Sequence, residues 1–434
     1  MFFKIFLERV ANVLGRDFFV TIISFFTTTY LANSLGAEVF GLWVGCLTFL
    51  LICDLIFRLK IDQLVIYYSK KYPLNKNMYV KIALLNLYLV VFGGILIIFF
   101  NQYVINFFSF NDLIFLALIY MIFFISVFGN IIFYIFLSES NYRAYNFCIL
   151  TQAIVNATSI LILFQIYDKS LFLPLISLFL SWTSVLTFFI INRLYYSNDK
   201  NLLNTPIDLS NMEILKKGSY IYLSSGVKSM SEQIPRLFAI NFLGAAYVGY
   251  LGITQIIVGL LNRLPIAINT VLFPMLIREG SDELNKTLAV IRMLLIIFIP
   301  ILVILEVCIP TLIYYLYGAE YSPSSSYIQI LLPFMYLGLP GLVLTSYYGS
   351  KGMFKTLFKI NCTAVASSVL TLFLVGLIST DMAPIISLGV ALLVITISSI
   401  LNIKEKIFFK DFLPSNDDLM VFINFAKSIF ANKY

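Results

Sequence analysis

The 434-residue chain contains no histidine. Imidazole proton relays, histidine metal sites and a Ser-His-Asp triad are therefore excluded. The five cysteines, Cys46, Cys53, Cys148, Cys308 and Cys362, stand singly inside apolar stretches with no paired spacing, so no disulfide or metal framework is predicted. Charge is scarce: 12% of the residues are Asp, Glu, Lys or Arg, against ~25% in ordinary globular domains. No Gly-Lys-Ser/Thr phosphate loop occurs, which leaves ATP-driven chemistry without its cradle. No catalytic set, cofactor or nucleic-acid partner is expected.

What fills the chain instead is apolar: 60% hydrophobic residues and a mean hydropathy of +0.94. No water-soluble core needs so much. The apolar runs are long and do not alternate, which argues for helices and against a β-barrel. The start, MFFKIFLER, is a short apolar run broken by Lys4, and Glu8, Arg9, Arg16 and Asp17 precede the first long span. Such a start suits an uncleaved first helix better than a cleavable signal.

Windows of ~19 residues place twelve spans. They cover 14–34, 39–57, 80–100, 113–137, 145–167, 171–192, 218–242, 246–275, 287–308, 327–349, 357–378 and 383–403. Basic residues crowd the even-numbered connections: Arg58, Lys60, Lys70, Lys71, Lys76 and Lys81; Arg143; Arg193, Lys200, Lys216 and Lys217; Arg278, Lys286 and Arg292; Lys351, Lys355 and Lys359. The odd connections carry only Lys169. By the positive-inside rule both termini are cytoplasmic. Beyond Pro414, the residues Leu419, Phe422, Ile423, Ala426, Ile429 and Phe430 recur on one helical face. This predicts a tail helix that lies on the cytoplasmic leaflet or packs on its own bundle.

A short motif repeats. NSLGAEVFG, Asn33 to Gly41, returns as NFLGAAYVG, Asn241 to Gly249, at a constant offset of 208. Each copy falls in the outer loop between the first and second spans of a six-span half, as parallel repeats would place it. The expected organisation is an amino-terminal lobe 1–192, a cytoplasmic linker 193–217, a carboxy-terminal lobe 218–403 and an amphipathic tail 404–434.

Span seven carries Lys228, Glu232 and Arg236, spaced by four and so stacked on one face. Lys228 lies ~18 Å beyond Lys216 at ~1.5 Å per residue, near mid-membrane. Arg263 is comparably deep in span eight. A charge at the bilayer centre costs ~2.5 to 3.5 kcal/mol on insertion scales, so each is a candidate functional group. Two readings stand. Glu232 bridges Lys228 and Arg236 as structural glue while Arg263 meets backbone carbonyls; or the surplus cations line a wet cavity ready for phosphate, which arginine grips bidentately. Pro235 and Pro265, beside these charges, are hinge candidates. Asn86, Asn130, Gln152, Asn156, Gln255, Asn262 and Asn269 read as interhelical hydrogen-bonding residues.

The segments LGAEVFGLW, KKGSYIYLSSGVKSMSEQIPRLFAINFLGAAYVGYLGITQ, VLFPMLIRE, YYLYGAEYSPSSSYIQILLP and YYGSKGMFKTLFKIN resemble the polysaccharide-export flippases, the Wzx type of O-antigen translocase. The resemblance implies an all-α fold of twelve transmembrane helices in two six-helix bundles around a V-shaped central cavity, in the multidrug and oligosaccharidyl-lipid exporter superfamily. It implies a bacterial inner-membrane, multi-pass flippase. Its substrate would be an undecaprenyl-pyrophosphate-linked oligosaccharide, the repeat unit of O-antigen or capsule, moved from the cytoplasmic to the periplasmic leaflet by alternating access. A polysaccharide polymerase with its chain-length machinery would be a partner, and H+ or Na+ a coupling ion. Family members carry cations in the cavity, and the matching positions here are Lys228, Arg236, Arg263 and Arg16. The acidic residue that neighbours the family's span-seven arginine is displaced by a turn, at Glu232. Two rivals remain: an ion-coupled drug or cation antiporter on the same fold, and a membrane-embedded polysaccharide polymerase.

Overall fold

The computed structural model describes residues 2–58, 76–108, 113–138, 141–196, 211–279, 283–403 and 412. The expected tail helix, the span of the linker from 197 to 210 and the basic loop 59–75 lie outside the described residues.

Every described element is helical. In chain order they are α1 (Phe2–Cys53), running into a π-helical turn (Asp54–Arg58), α2 (Lys76–Phe99), α3 (Asn101–Phe108), α4 (Leu113–Ser138), α5 (Tyr142–Ile166), α6 (Phe172–Tyr196), α7 (Asn211–Phe242), α8 (Ala245–Glu279), α9 (Glu283–Tyr317), a 3-10 turn (Ala319–Tyr321), α10 (Ser322–Ser350), α11 (Phe354–Gly376) and α12 (Ala383–Leu401). Among the described residues nine helical stretches are long and apolar enough to cross a membrane. The protein is a multi-pass membrane protein. Its outward surface agrees: Phe99, Leu377 and Ile378 are more than 80% exposed, which is tolerable only against lipid.

One of the nine stretches, Phe18–Arg58, is 41 residues long. At 1.5 Å per residue that is ~60 Å, twice the ~30 Å hydrocarbon core. Gly36 resolves the excess. It sits in α1 with φ 73° and ψ 168°, a left-handed conformation that breaks the helix into two limbs. Its partner in the repeat, Gly244, has φ 91° and separates α7 from α8. There the Gly244 N–H returns to Ala239 O at 3.0 Å, closing the end of α7. The offset of 208 is thus a structural equivalence as well as a sequence match.

Two compact units form. The first comprises Phe19–Ser229 and Arg236–Gly252. Within it, Ile132, Phe136, Ala144, Cys148 and Val185 make one core cluster of α4, α5 and α6. Ser177 Oγ on α6 donates to Asn156 Oδ1 on α5 at 3.0 Å, interhelical bonding of the expected kind. Asn130 instead bonds back within its own helix, to Ser126 O. In the π-helical turn Arg58, only 5% exposed, pairs with Asp54. The Tyr120 hydroxyl donates to Val90 O, tying α4 to α2.

The second unit comprises Met1–Phe18, Met230–Pro235 and Ile253–Tyr434. Asn269 on α8 donates to Leu342 O at 3.0 Å and accepts from Ser346 Oγ at 2.9 Å, locking α8 to α10. Thr396 Oγ1 on α12 donates to Gly338 O and accepts from the Gly341 N–H, both at 3.2 Å. This requires the two backbones to touch. A Cβ built on Gly341 would lie 2.8 Å from Thr396 N and Cα. Gly341→Val therefore overpacks the α10–α12 seam, and we expect it to cost ~1 to 3 kcal/mol. The check is thermal unfolding in detergent: the midpoint should fall by several degrees, with Leu337→Val on the exposed side of α10 as the neutral control. By contrast the Lys351–Glu283 pair, at 3.3 Å with the lysine 44% exposed, contributes little.

Candidate functional site

α7 is 32 residues long and carries charge along its length. Lys216, Lys217, Lys228, Glu232 and Arg236 interrupt its apolar residues. Residues four apart rise ~6 Å and turn ~400°, so Lys228, Glu232 and Arg236 form a ladder along one side.

The three rungs differ. Lys228 and Arg236 are half-buried and each has an interaction partner. The Arg236 Nε is enclosed by protein. Glu232 is exposed and pairs with no described residue. The flanking Ser231 and Gln233 are buried.

Arg263 lies on α8, exposed, and pairs with no described residue. Arg16 lies on α1, and its side chain falls outside the described part. Pro235 and Pro265 are both buried, and α7 and α8 run as unbroken helices through them. In α1 the helical geometry breaks at Gly36. Asp54 pairs with Arg58. Glu306 is exposed. No group of three or more Cys, Asp or Glu side chains capable of holding a metal is found among the described residues.

Sequence reading overlooked two things. Asp54–Arg58 forms a π-helical turn, a local widening that no residue type announces. Gly41 and Gly249 are points of backbone-to-backbone approach, for which the Ala-x-x-x-Gly spacing of Ala37/Gly41 and Ala245/Gly249 was the available signal.

The fold is shared with solved transporters. The chain is similar to the lipid II flippase MurJ in an inward closed conformation, at 17% identity and TM-score 0.71, over 98% of this chain and 93% of that one. It is similar to an inward-facing multidrug resistance MATE family transporter of the MOP superfamily, at 15% identity and TM-score 0.67, over 88% and 92%. A MOP superfamily transporter from Pyrococcus furiosus matches at 15% identity and TM-score 0.65, over 91% and 94%. No curated protein matches the chain closely. The profile of the family described as polysaccharide biosynthesis protein matches residues 11–279, more than half of the chain. The protein belongs to that polysaccharide biosynthesis family, whose fold is that of flippases and transporters rather than of an enzyme.

Proposed function

We propose that the protein is a flippase of the Wzx type that carries an undecaprenyl-pyrophosphate-linked oligosaccharide, the repeat unit of an O-antigen or capsule, from the cytoplasmic to the periplasmic leaflet of the bacterial inner membrane. The observation that carries this reading is the polar helix α7, with Lys228 and Arg236 half-buried in an otherwise apolar, multi-pass member of a polysaccharide biosynthesis family. A pyrophosphate crossing hydrocarbon needs countercharge, and sugar hydroxyls need polar walls. The lipid tail can remain in the bilayer throughout.

Part of the same proposal are twelve spans with both termini cytoplasmic, a first lobe 1–192, a linker 193–217, a second lobe 218–403 and a tail 404–434. Lys228, Arg236, Arg263 and Arg16 bind the pyrophosphate, Glu232 is the acidic residue that accompanies them in the cavity, and Pro235 and Pro265 flex as the substrate-accessible face alternates. A H+ or Na+ gradient, or consumption of product by a polymerase, supplies the driving force.

A drug antiporter on this fold is the second reading, favoured by the likeness to multidrug resistance transporters. Its cationic cargo calls for carboxylates, whereas α7 offers two cations against Glu232 in its interior. The Pyrococcus furiosus transporter is described as having a binding pocket of reverse polarity that suggests a different function, so the fold accommodates such a change.

Deletion of the gene in its native host tests the proposal. Surface polysaccharide should disappear while undecaprenyl-linked repeat units accumulate on the cytoplasmic side, and wild-type gene should restore both. Unchanged polysaccharide, with new sensitivity to organic cations, would replace this reading by the antiporter.

A further inference from the structure

α11 and α12 form an antiparallel pair whose only charged residues are Lys355 and Lys359, both near the start of α11. Both lysines are exposed, and neither pairs with a described residue. They are four apart, so they lie on one side of the helix. Thr363 continues that side, and its Oγ1 lies 3.2 Å from Ser398 Oγ on α12. Because the helices run antiparallel, Lys359, four residues before Thr363, and Asn402, four after Ser398, stand at one level. Asn402 is exposed and uses one amide N–H on Ser398 O, at 2.8 Å, which leaves the other to donate.

Two local preferences oppose lysines at these positions. Like charges four apart on a helix repel, and Lys355 occupies the first turn, where the helix dipole disfavours a cation. An anion held between the two ammonium groups offsets both. One turn inward the chemistry changes. Thr363 Oγ1 donates to Ile360 O at 2.8 Å and meets Ser398 Oγ, so these hydroxyls are satisfied within the protein. Beyond them the same side of α11 is apolar and exposed, at Ala366, Leu370 and Phe373. Phe373 lies ten residues past Thr363, or ~15 Å, which is half of the ~30 Å hydrocarbon core. Free cations, then satisfied hydroxyls, then an apolar lane of that depth follow the order of headgroup, ester zone and acyl chains in one leaflet.

We infer that this end of the α11–α12 pair is a binding site for an anionic phospholipid of the cytoplasmic leaflet. The phosphodiester sits between Lys355, Lys359 and the Asn402 amide, and the acyl chains lie along Leu370 and Phe373. The leaflet is taken from the proposed topology; the lipid chemistry is not. The site belongs to one compact unit and stands on other helices than the cation ladder of α7. A phospholipid fits it better than a lipid-linked sugar, because α11 and α12 present cations for one phosphate and an apolar lane beyond it. The neighbouring Lys351 is exposed as well, but Glu283 holds it at 3.3 Å, so it offers no comparable free charge.

Native mass spectrometry of the full chain in detergent tests the site, with phosphatidylglycerol as the anionic probe and phosphatidylethanolamine as the zwitterionic one. The wild type should retain phosphatidylglycerol at concentrations at which phosphatidylethanolamine is lost. A lysine beside an anionic headgroup contributes roughly fivefold, so Lys355→Gln combined with Lys359→Gln should weaken phosphatidylglycerol binding about 25-fold. Arginine at both positions should keep it within about threefold of wild type, and Lys351→Gln within about twofold. Should the double variant aggregate on size exclusion, the single variants decide, each with a loss of about fivefold. Equal retention of the two lipids by the wild type, or undiminished phosphatidylglycerol binding in every monodisperse lysine variant, would overturn the site. Displacement of phosphatidylglycerol by equimolar undecaprenyl pyrophosphate, with the same loss in the double variant, would overturn it too and give the face to the cargo lipid. None of these readings uses the polysaccharide assay, so the site and the flippase reading can fail separately.

Discussion

Arg236→Ala should abolish most export of surface polysaccharide when the variant is expressed at wild-type level in the deletion host. A hydrogen bond to a charged group contributes ~1.5 to 3 kcal/mol. Since ~1.4 kcal/mol is tenfold in an equilibrium constant, loss of the guanidinium should weaken binding of a pyrophosphate headgroup by roughly 10- to 100-fold. The effect should be larger than for Lys228→Ala, because lysine offers a point charge and arginine a planar fork. Arg236→Lys is the informative intermediate: it restores charge without the bidentate geometry, and export should return only in part. Arg263→Ala should behave like Lys228→Ala, since Arg263 is exposed and pairs with no described residue, so no structural pairing is lost with it. The measurement is surface polysaccharide per cell against accumulated lipid-linked repeat units, with protein amount checked by immunoblot. Full export by all three alanine variants would reduce these cations to structural glue and remove the observation on which the flippase reading leans.

Asp54→Ala should be the most damaging single substitution outside the cation ladder, and through stability rather than transport. Arg58 is 5% exposed and pairs with Asp54 inside a π-helical turn. Removing one partner of a buried pair leaves a desolvated charge, at a cost of roughly 3 to 5 kcal/mol. The lower end applies, because the Asp54 side chain is 24% exposed and water can approach it. The thermal midpoint of the purified protein should drop by several degrees. A double variant, Asp54→Leu with Arg58→Met, should recover most of the loss, because a buried ion pair is often replaceable by apolar side chains of similar volume. If the single variant is as stable as wild type, the pair is solvated in the membrane-bound protein and has no structural role.

Much of the helical layout follows from local pattern. The expected spans 113–137, 145–167 and 171–192 fall on α4, α5 and α6 with ends differing by a few residues, because runs of Leu, Ile, Phe and Val bounded by polar residues carry their own limits. Span nine was expected at 287–308, whereas α9 runs from Glu283 to Tyr317 through Pro300 and Pro310. Proline interrupts one backbone bond without ending a long apolar helix, which neighbouring turns hold in place. α3 was not foreseen. Its eight residues, NQYVINFF, continue the apolar run of α2 without a periodic signal of their own. α7 was placed as a span despite its charges, and it forms one continuous helix from Asn211 to Phe242.

The candidate site divides along the same line. That Lys228, Glu232 and Arg236 form a ladder on one helix follows from spacing alone, since 3.6 residues per turn is a property of the backbone. That Glu232 is exposed while Arg236 has its Nε enclosed depends on which other helices lie alongside, and no local pattern encodes that. The glycines show the same division. The repeat was visible as identical letters 208 residues apart, but a match in sequence does not say that its two copies meet.

By itself, then, the sequence determined that this is a multi-pass helical membrane protein, that Lys228, Glu232 and Arg236 share one face of a helix, and that a nine-residue motif recurs 208 residues further on. Composition and periodicity act within a few turns, and the bilayer turns them directly into structure by demanding that every backbone bond be satisfied inside its own helix. Only the tertiary structure decided that Gly41 rests on Ala245 and Gly249 on Ala37, that Thr396 reaches the backbone of α10, and that Arg58 is shut in with Asp54. Those contacts are set by helix packing at the scale of single ångströms, where the presence or absence of one Cβ determines whether two backbones can touch.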